Sequence, residues 1–98
     1  MTIEIKRNAE ETTIKLVGRL DTTTAPALDK TISEDIAGTK NLVLDVKELE
    51  YISSAGLRVL LGAQKKMQKI GSMKVTNVRE EVMEVFEMTG FADILVIE

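Results

Sequence analysis

Apolar and polar positions alternate at the start of the chain: Glu4 separates Ile3 from Ile5, and Lys15 separates Ile14 from Leu16. A period of two turns one side of a segment into a core and the other to water, so both segments read as strands. The polar stretch Asn8-Ala9-Glu10-Glu11 supplies a turn between them, which predicts an antiparallel hairpin ended by Gly18. Residues 19–24 lead to Ala25-Pro26, where Thr24 ahead of the single proline marks a helix start. Together with Ala25, the fourfold spacing of Leu28, Ile32 and Ile36 predicts a first helix of about three turns, closed by Gly38.

The pattern changes at Leu42-Val43-Leu44-Asp45-Val46, where four of five positions are apolar, as in a central strand covered on both faces. A loop is predicted over residues 47–53. An amphipathic helix then opens at Ser54-Ala55-Gly56-Leu57, with Leu60, Leu61, Met67 and Ile70 on one side and Arg58, Lys65, Lys66 and Lys69 on the other. Gly71 closes that helix, and residues 73–76 predict a short strand. Asn77 and Glu80 have the spacing of a capping box ahead of a last helix that buries Val82, Met83, Val85 and Phe86 and stops at Thr89-Gly90. Residues 94–97 read as a final strand. The order ββαβαβαβ predicts an α/β fold in one domain over residues 1–98, a small mixed β-sheet with helices mainly on one face.

Composition narrows the function. A chain of 98 residues holds one core, and with three aromatics (two Phe, one Tyr) that core is built from Leu, Ile, Val and Met. Met67, Met73, Met83 and Met88 are assigned to it as filler. A net charge of −3 argues against nucleic acid; Lys65, Lys66, Lys69 and Lys74 lack interleaved aromatics and read as a solvated face. No apolar run approaches the ~20 residues of a membrane span, no leader pattern is present, and cysteine is absent, so a cytoplasmic location is expected.

Catalytic chemistry finds few candidates. Ser54-Ala55-Gly56 is half of a G-x-S-x-G elbow, but Ile52 stands where the first glycine belongs and the chain has no histidine, which excludes a Ser-His-Asp hydrolase. No Gly-rich phosphate loop occurs, and a metal site would need carboxylates alone. Glu48, Glu50, Glu80, Glu81, Glu84 and Glu87 read as solvated surface, and Asp45 as a structural acid, either paired with loop backbone or exposed at the strand terminus. The expectation is a protein without catalytic residues, metal or cofactor. Ser53 and Ser54 at the helix entrance read first as caps for unpaired N–H groups, while the same N–H groups and the dipole also favour a phosphate there.

A buried strand followed by a short loop and Ile52-Ser53-Ser54-Ala55-Gly56-Leu57, leading into a Leu-rich helix, resembles the STAS domain, specifically the single-domain bacterial anti-sigma factor antagonists. The element order is similar over the whole chain. The resemblance implies that Ser54 is the phosphorylated serine, with Ser53, where many of these antagonists carry Asp, as the second candidate. It also matches Gly18 to Asp21 with a G-x-L-D element whose acid lies near that serine; a loop carboxylate capping the turn before Thr24 explains Asp21 equally well. The implied contact surface is Asp21, Ser53, Ser54, Ala55, Gly56 and Arg58. The implied function is a phosphorylation-controlled antagonist that, unphosphorylated, binds an anti-sigma factor acting also as a serine kinase and so releases a sigma factor. A metal-dependent serine phosphatase and a weak homodimer complete the implied partners. The alternative is a constitutive STAS scaffold without a phosphoryl cycle, using Ser54 only as a cap.

Overall fold

The computed structural model describes residues 1–36 and 38–98, Asp35 through its backbone alone. Strands β1 (Thr2–Asn8) and β2 (Glu11–Leu20) form the predicted hairpin, turning through Ala9 at φ 56°. Helix α1 (Ala25–Asp35) crosses to β3 (Asn41–Ile52), α2 (Ser54–Ile70) to β4 (Ser72–Thr76), and α3 (Glu80–Thr89) follows. The sheet order is β1-β2-β3-β4, antiparallel at the hairpin and parallel across the other two pairs. Because three parallel strands lie side by side in chain order, right-handed crossovers place their helices on one face. All three helices contribute to a single apolar cluster with Ile14, Leu16, Leu42, Leu44, Val46 and Val75 of the strands.

Several expectations are corrected. Gly18 does not end β2; it sits within it at φ +104°, beside a register shift against β3. Residues 47–52 are strand and not loop. Between Lys15↔Asp45 and Val17↔Glu48, and again between Gly18↔Leu49 and Arg19↔Tyr51, β3 carries an extra residue. Each bulge flips the inward parity, which is why Val46, Leu49 and Ile52 all reach the core at a spacing of three.

Val43 is buried but lies outside the main cluster, and among the described residues no helix layer covers its side of the sheet. Its in-register neighbours there are Thr13 and Lys74. On the same face Glu4, Lys6, Thr13, Lys15 and Asp45, with Ile5 between the first two, line an open concavity of about 520 Å³.

Asn77 does not cap α3. Its backbone is left-handed at φ 59°, its side-chain amide donates to Asp45 Oδ1 at 3.1 Å, and Arg79 takes the cap position. The final strand shrinks to a single parallel bridge, Val75↔Ile97. Ile36 is the C-cap of α1 and not part of its body, with Gly38 at φ +80° beyond it. Met88 is 85% exposed and Ile70 47%, so neither is core; Met67 and Met73 are fully buried and Met83 packs partly against the cluster.

Candidate functional site

The parallel register of β2 and β3 brings the two predicted site segments to one edge. Leu20 pairs with Ile52, and the Ser53 N–H donates to the Leu20 carbonyl at 2.9 Å. The chain leaves β2 into Asp21 and leaves β3 into α2 at the same place, so Asp21, Ser53 and Ser54 share the edge beyond the carboxyl ends of the strands. Open α/β sheets put their loops and binding groups there.

Ser53, and not Ser54, caps α2. Its backbone is extended (φ −99°, ψ 176°), its Oγ accepts from the Gly56 N–H at 3.4 Å and its carbonyl accepts from Leu57 N–H at 2.9 Å. Ser54 is the first helical residue. Its side chain is exposed and makes no hydrogen bond among the described residues. Its place in the first turn sets it among the N–H groups that a helix leaves without intrahelical partners. The two serines thus have different roles: one hydroxyl is engaged and half-buried, the other presents itself at the positive end of a 17-residue helix.

Gly56 makes this arrangement possible. A Cβ added there would lie 2.7 Å from Leu20 Cγ and 2.9 Å from Ile52 Cγ1, so only glycine lets the first turn of α2 seat directly on the ends of β2 and β3. Ala55 is half-buried beside it. Arg58 is exposed one turn beyond Ser54, at the i+4 spacing that places two side chains on the same helix face.

Asp21 is built into its own turn. Its Oδ1 accepts from the Thr23 hydroxyl at 2.7 Å, from Thr23 N–H at 3.0 Å and from Thr24 N–H at 3.2 Å, while Thr24 Oγ1 accepts from the Asp21 N–H at 2.8 Å. The Thr23 hydroxyl, followed by the two backbone amides, holds the Asp21 carboxyl below its ordinary pKa against the opposing effect of desolvation. It is an anion at neutral pH, with Arg19 Nε 4.0 Å from Oδ2. The turn-capping reading of Asp21 therefore describes its contacts, and the same contacts fix a negative charge beside the α2 entrance. Asp45, by contrast, accepts from Lys47 N–H and from Asn77, both at 3.1 Å, as a structural acid does.

Two neighbours escaped the sequence reading. Arg19 and Tyr51 are register partners, and the guanidinium stacks 4.3 Å from the centroid of the tyrosine ring, in a residue that is 41% exposed. Their proximity depends on the second bulge in β3. The single available signal was that the only tyrosine stands two residues before Ser53.

Comparison with known proteins agrees with this architecture. The family model described as STAS domain matches residues 2–98. The anti-sigma-B factor antagonist of Bacillus subtilis (strain 168) is 29% identical, over 95% of this chain and 86% of that protein. The anti-sigma-B factor antagonist of Listeria monocytogenes serovar 1/2a is 31% identical, over 100% of this chain and 89% of that protein. Among solved structures, the Bacillus cell fate determinant SpoIIAA in its phosphorylated form superposes with a TM-score of 0.78 at 19% identity, over 99% of this chain and 91% of that one, a likeness of fold. A sheet that ends in a serine-capped helix entrance, matched along nearly its whole length by one family model, makes this chain a member of the STAS domain family.

Proposed function

We propose that this STAS domain is an anti-sigma factor antagonist switched by phosphorylation of Ser54. Unphosphorylated, it binds an anti-sigma factor that is also a serine kinase, and the sigma factor is released. The kinase transfers the γ-phosphoryl group of ATP to Ser54 Oγ, whose proton is lost, and ADP leaves; a metal-dependent serine phosphatase returns the hydroxyl by hydrolysis. The protein is a substrate and a ligand in this cycle and not itself an enzyme, and it acts in the cytoplasm. Weak self-association as a homodimer belongs to the same reading.

The observation that carries the proposal is the division of labour between the serines. Ser53 already holds the cap, so the exposed Ser54 hydroxyl can be modified without removing a structural hydrogen bond. Phosphate at that point adds roughly −1.5 to −2 charges facing the N-terminal dipole of α2, an interaction that contributes about 0.3–1 kcal/mol in favour of the fold. The same charge falls beside the Asp21 carboxylate, in the middle of the contact formed by Asp21, Ser53, Ser54, Ala55, Gly56 and Arg58. Burying it there without a matching cation costs several kcal/mol, so binding is lost while the domain stays folded. Incubation with cytosolic extract and ATP tests the reading: intact mass should rise by one phosphate, mapped to Ser54. A chain that stays unmodified while it still captures its partner is instead a constitutive scaffold.

A further inference from the structure

The sheet ends at β1, whose outer edge no strand among the described residues covers. An uncovered edge seven residues long, without proline or bulge, is a template for another strand. Along it, Ile3 and Ile5 face the helix layer, Ile5 opposite the fully buried Ile14 yet itself 40% exposed. Glu4 and Lys6 face the open side of the sheet beside Lys15 and Thr13.

We propose that this edge is the homodimer surface: two copies pair β1 antiparallel about a two-fold axis at Ile5, with Glu4 of each copy opposite Lys6 of the other, a placement that rests on the self-association proposed above and not on the phosphate cycle. A continuous two-fold sheet keeps side chains of like parity opposite one another, so the axis falls on a residue, and only centres at Glu4, Ile5 or Lys6 keep most of β1 paired. Centring on Glu4 or on Lys6 sets a charge against its own copy. Centring on Ile5 makes two opposite-charge pairs on the open face and, on the helix face, joins Ile5 to Ile5 with Ile3 of each copy opposite Arg7 of the other. A single strand edge buries less than the ~1,200–2,000 Å² of a standard stable interface, so the dimer is weak and concentration-dependent.

Sedimentation velocity of the full chain over a concentration series, with thermal melts as a folding control, tests the register. Wild type should self-associate. Glu4→Lys and Lys6→Glu should each weaken association by about tenfold or more, since each replaces two attractive cross-strand pairs by two repulsive ones, and the double exchange should restore it. Association left intact in both single variants, or not restored in the folded double variant, overturns the β1 register while leaving a homodimer in place. A wild type that stays monomeric throughout overturns the homodimer as well.

Discussion

The backbone N–H of Ser53 donates to the carbonyl of Leu20, and a few ångströms further on Leu20 Cγ occupies the space that a Cβ on residue 56 would need. One residue therefore both anchors the entry to α2 and sets how closely that helix sits. Gly56→Ala is expected to destabilise the domain by about 1–3 kcal/mol from overpacking, reduced but not reversed by the ~1 kcal/mol gain in helix propensity. Denaturant unfolding measures it. Leu20→Ala, which removes the crowding Cγ and Cδ2, should relieve part of the clash, so the double variant should lose less than the sum of the single losses.

Leu60 lies fully buried in the middle of α2. Its truncation to Ala is expected to cost about 2–5 kcal/mol, while Met88→Ala, at an exposed position, should stay within about 0.5 kcal/mol of wild type. Urea midpoints for the two variants check the assignment of core and surface.

Much of this layout was legible in the residues, and its failures have physical reasons. The hairpin, α1 and α2 announce themselves through periods of two and nearly four because each buries one regular face. Residues 47–52 look like a loop because two bulges in β3 break the alternation, and a break in register belongs to a pair of strands and not to either one. Asn77 fits a capping box locally, yet a contact with Asp45, distant in sequence, holds it in another conformation. At the site, Ser53, Ser54 and Gly56 lie within four consecutive residues and could be read together. The distinction between the capping and the exposed serine depends on backbone angles, and the Arg19–Tyr51 contact on strand register.

Asp21 separates charge from structure. Asp21→Asn retains an acceptor oxygen for Thr23 and Thr24 but removes the anion, so it should weaken binding to the anti-sigma factor with little change in melting temperature; Asp21→Ala, which removes the acceptor, should lower melting as well. The pH dependence follows from the depressed pKa. The carboxylate contributes stability above its ordinary value of 3.8, and that contribution disappears as pH falls through the lower folded-state value. Any melting advantage of wild type over Asp21→Asn at neutral pH should therefore shrink below about pH 4. Paired melts from neutral to acid pH, with binding measured separately, check both expectations.

Ser53→Ala should cost about 0.5–1 kcal/mol, the lower part of the range for lost caps because its hydrogen bond is long at 3.4 Å. It should still accept phosphate, as its hydroxyl is not the exposed one. Phosphopeptide mapping of this variant, with denaturant unfolding alongside, reads the two roles independently. Loss of phosphorylation in a stably folded Ser53→Ala would transfer the acceptor role to Ser53.

Ser54 should show the opposite separation. Ser54→Ala removes a hydroxyl with no hydrogen bond among the described residues, so its stability should stay within about 0.5 kcal/mol of wild type while phosphorylation is abolished and partner binding persists. Ser54→Asp places a carboxylate in the first turn of α2, where the dipole tolerates it, but puts the charge in the contact surface beside Asp21. It should remain folded and bind the anti-sigma factor at least tenfold more weakly, equivalent to about 1.4 kcal/mol. Calorimetric titration of both variants against the purified partner measures this, with circular dichroism confirming the fold. Ser54→Asp binding as tightly as wild type would sink the electrostatic mechanism, because the phosphate is proposed to act through charge at that position. Ser54→Ala failing to bind while fully folded would instead mean that the hydroxyl is itself a contact, and the switch would then act by removing a hydrogen-bond donor and not by adding a charge.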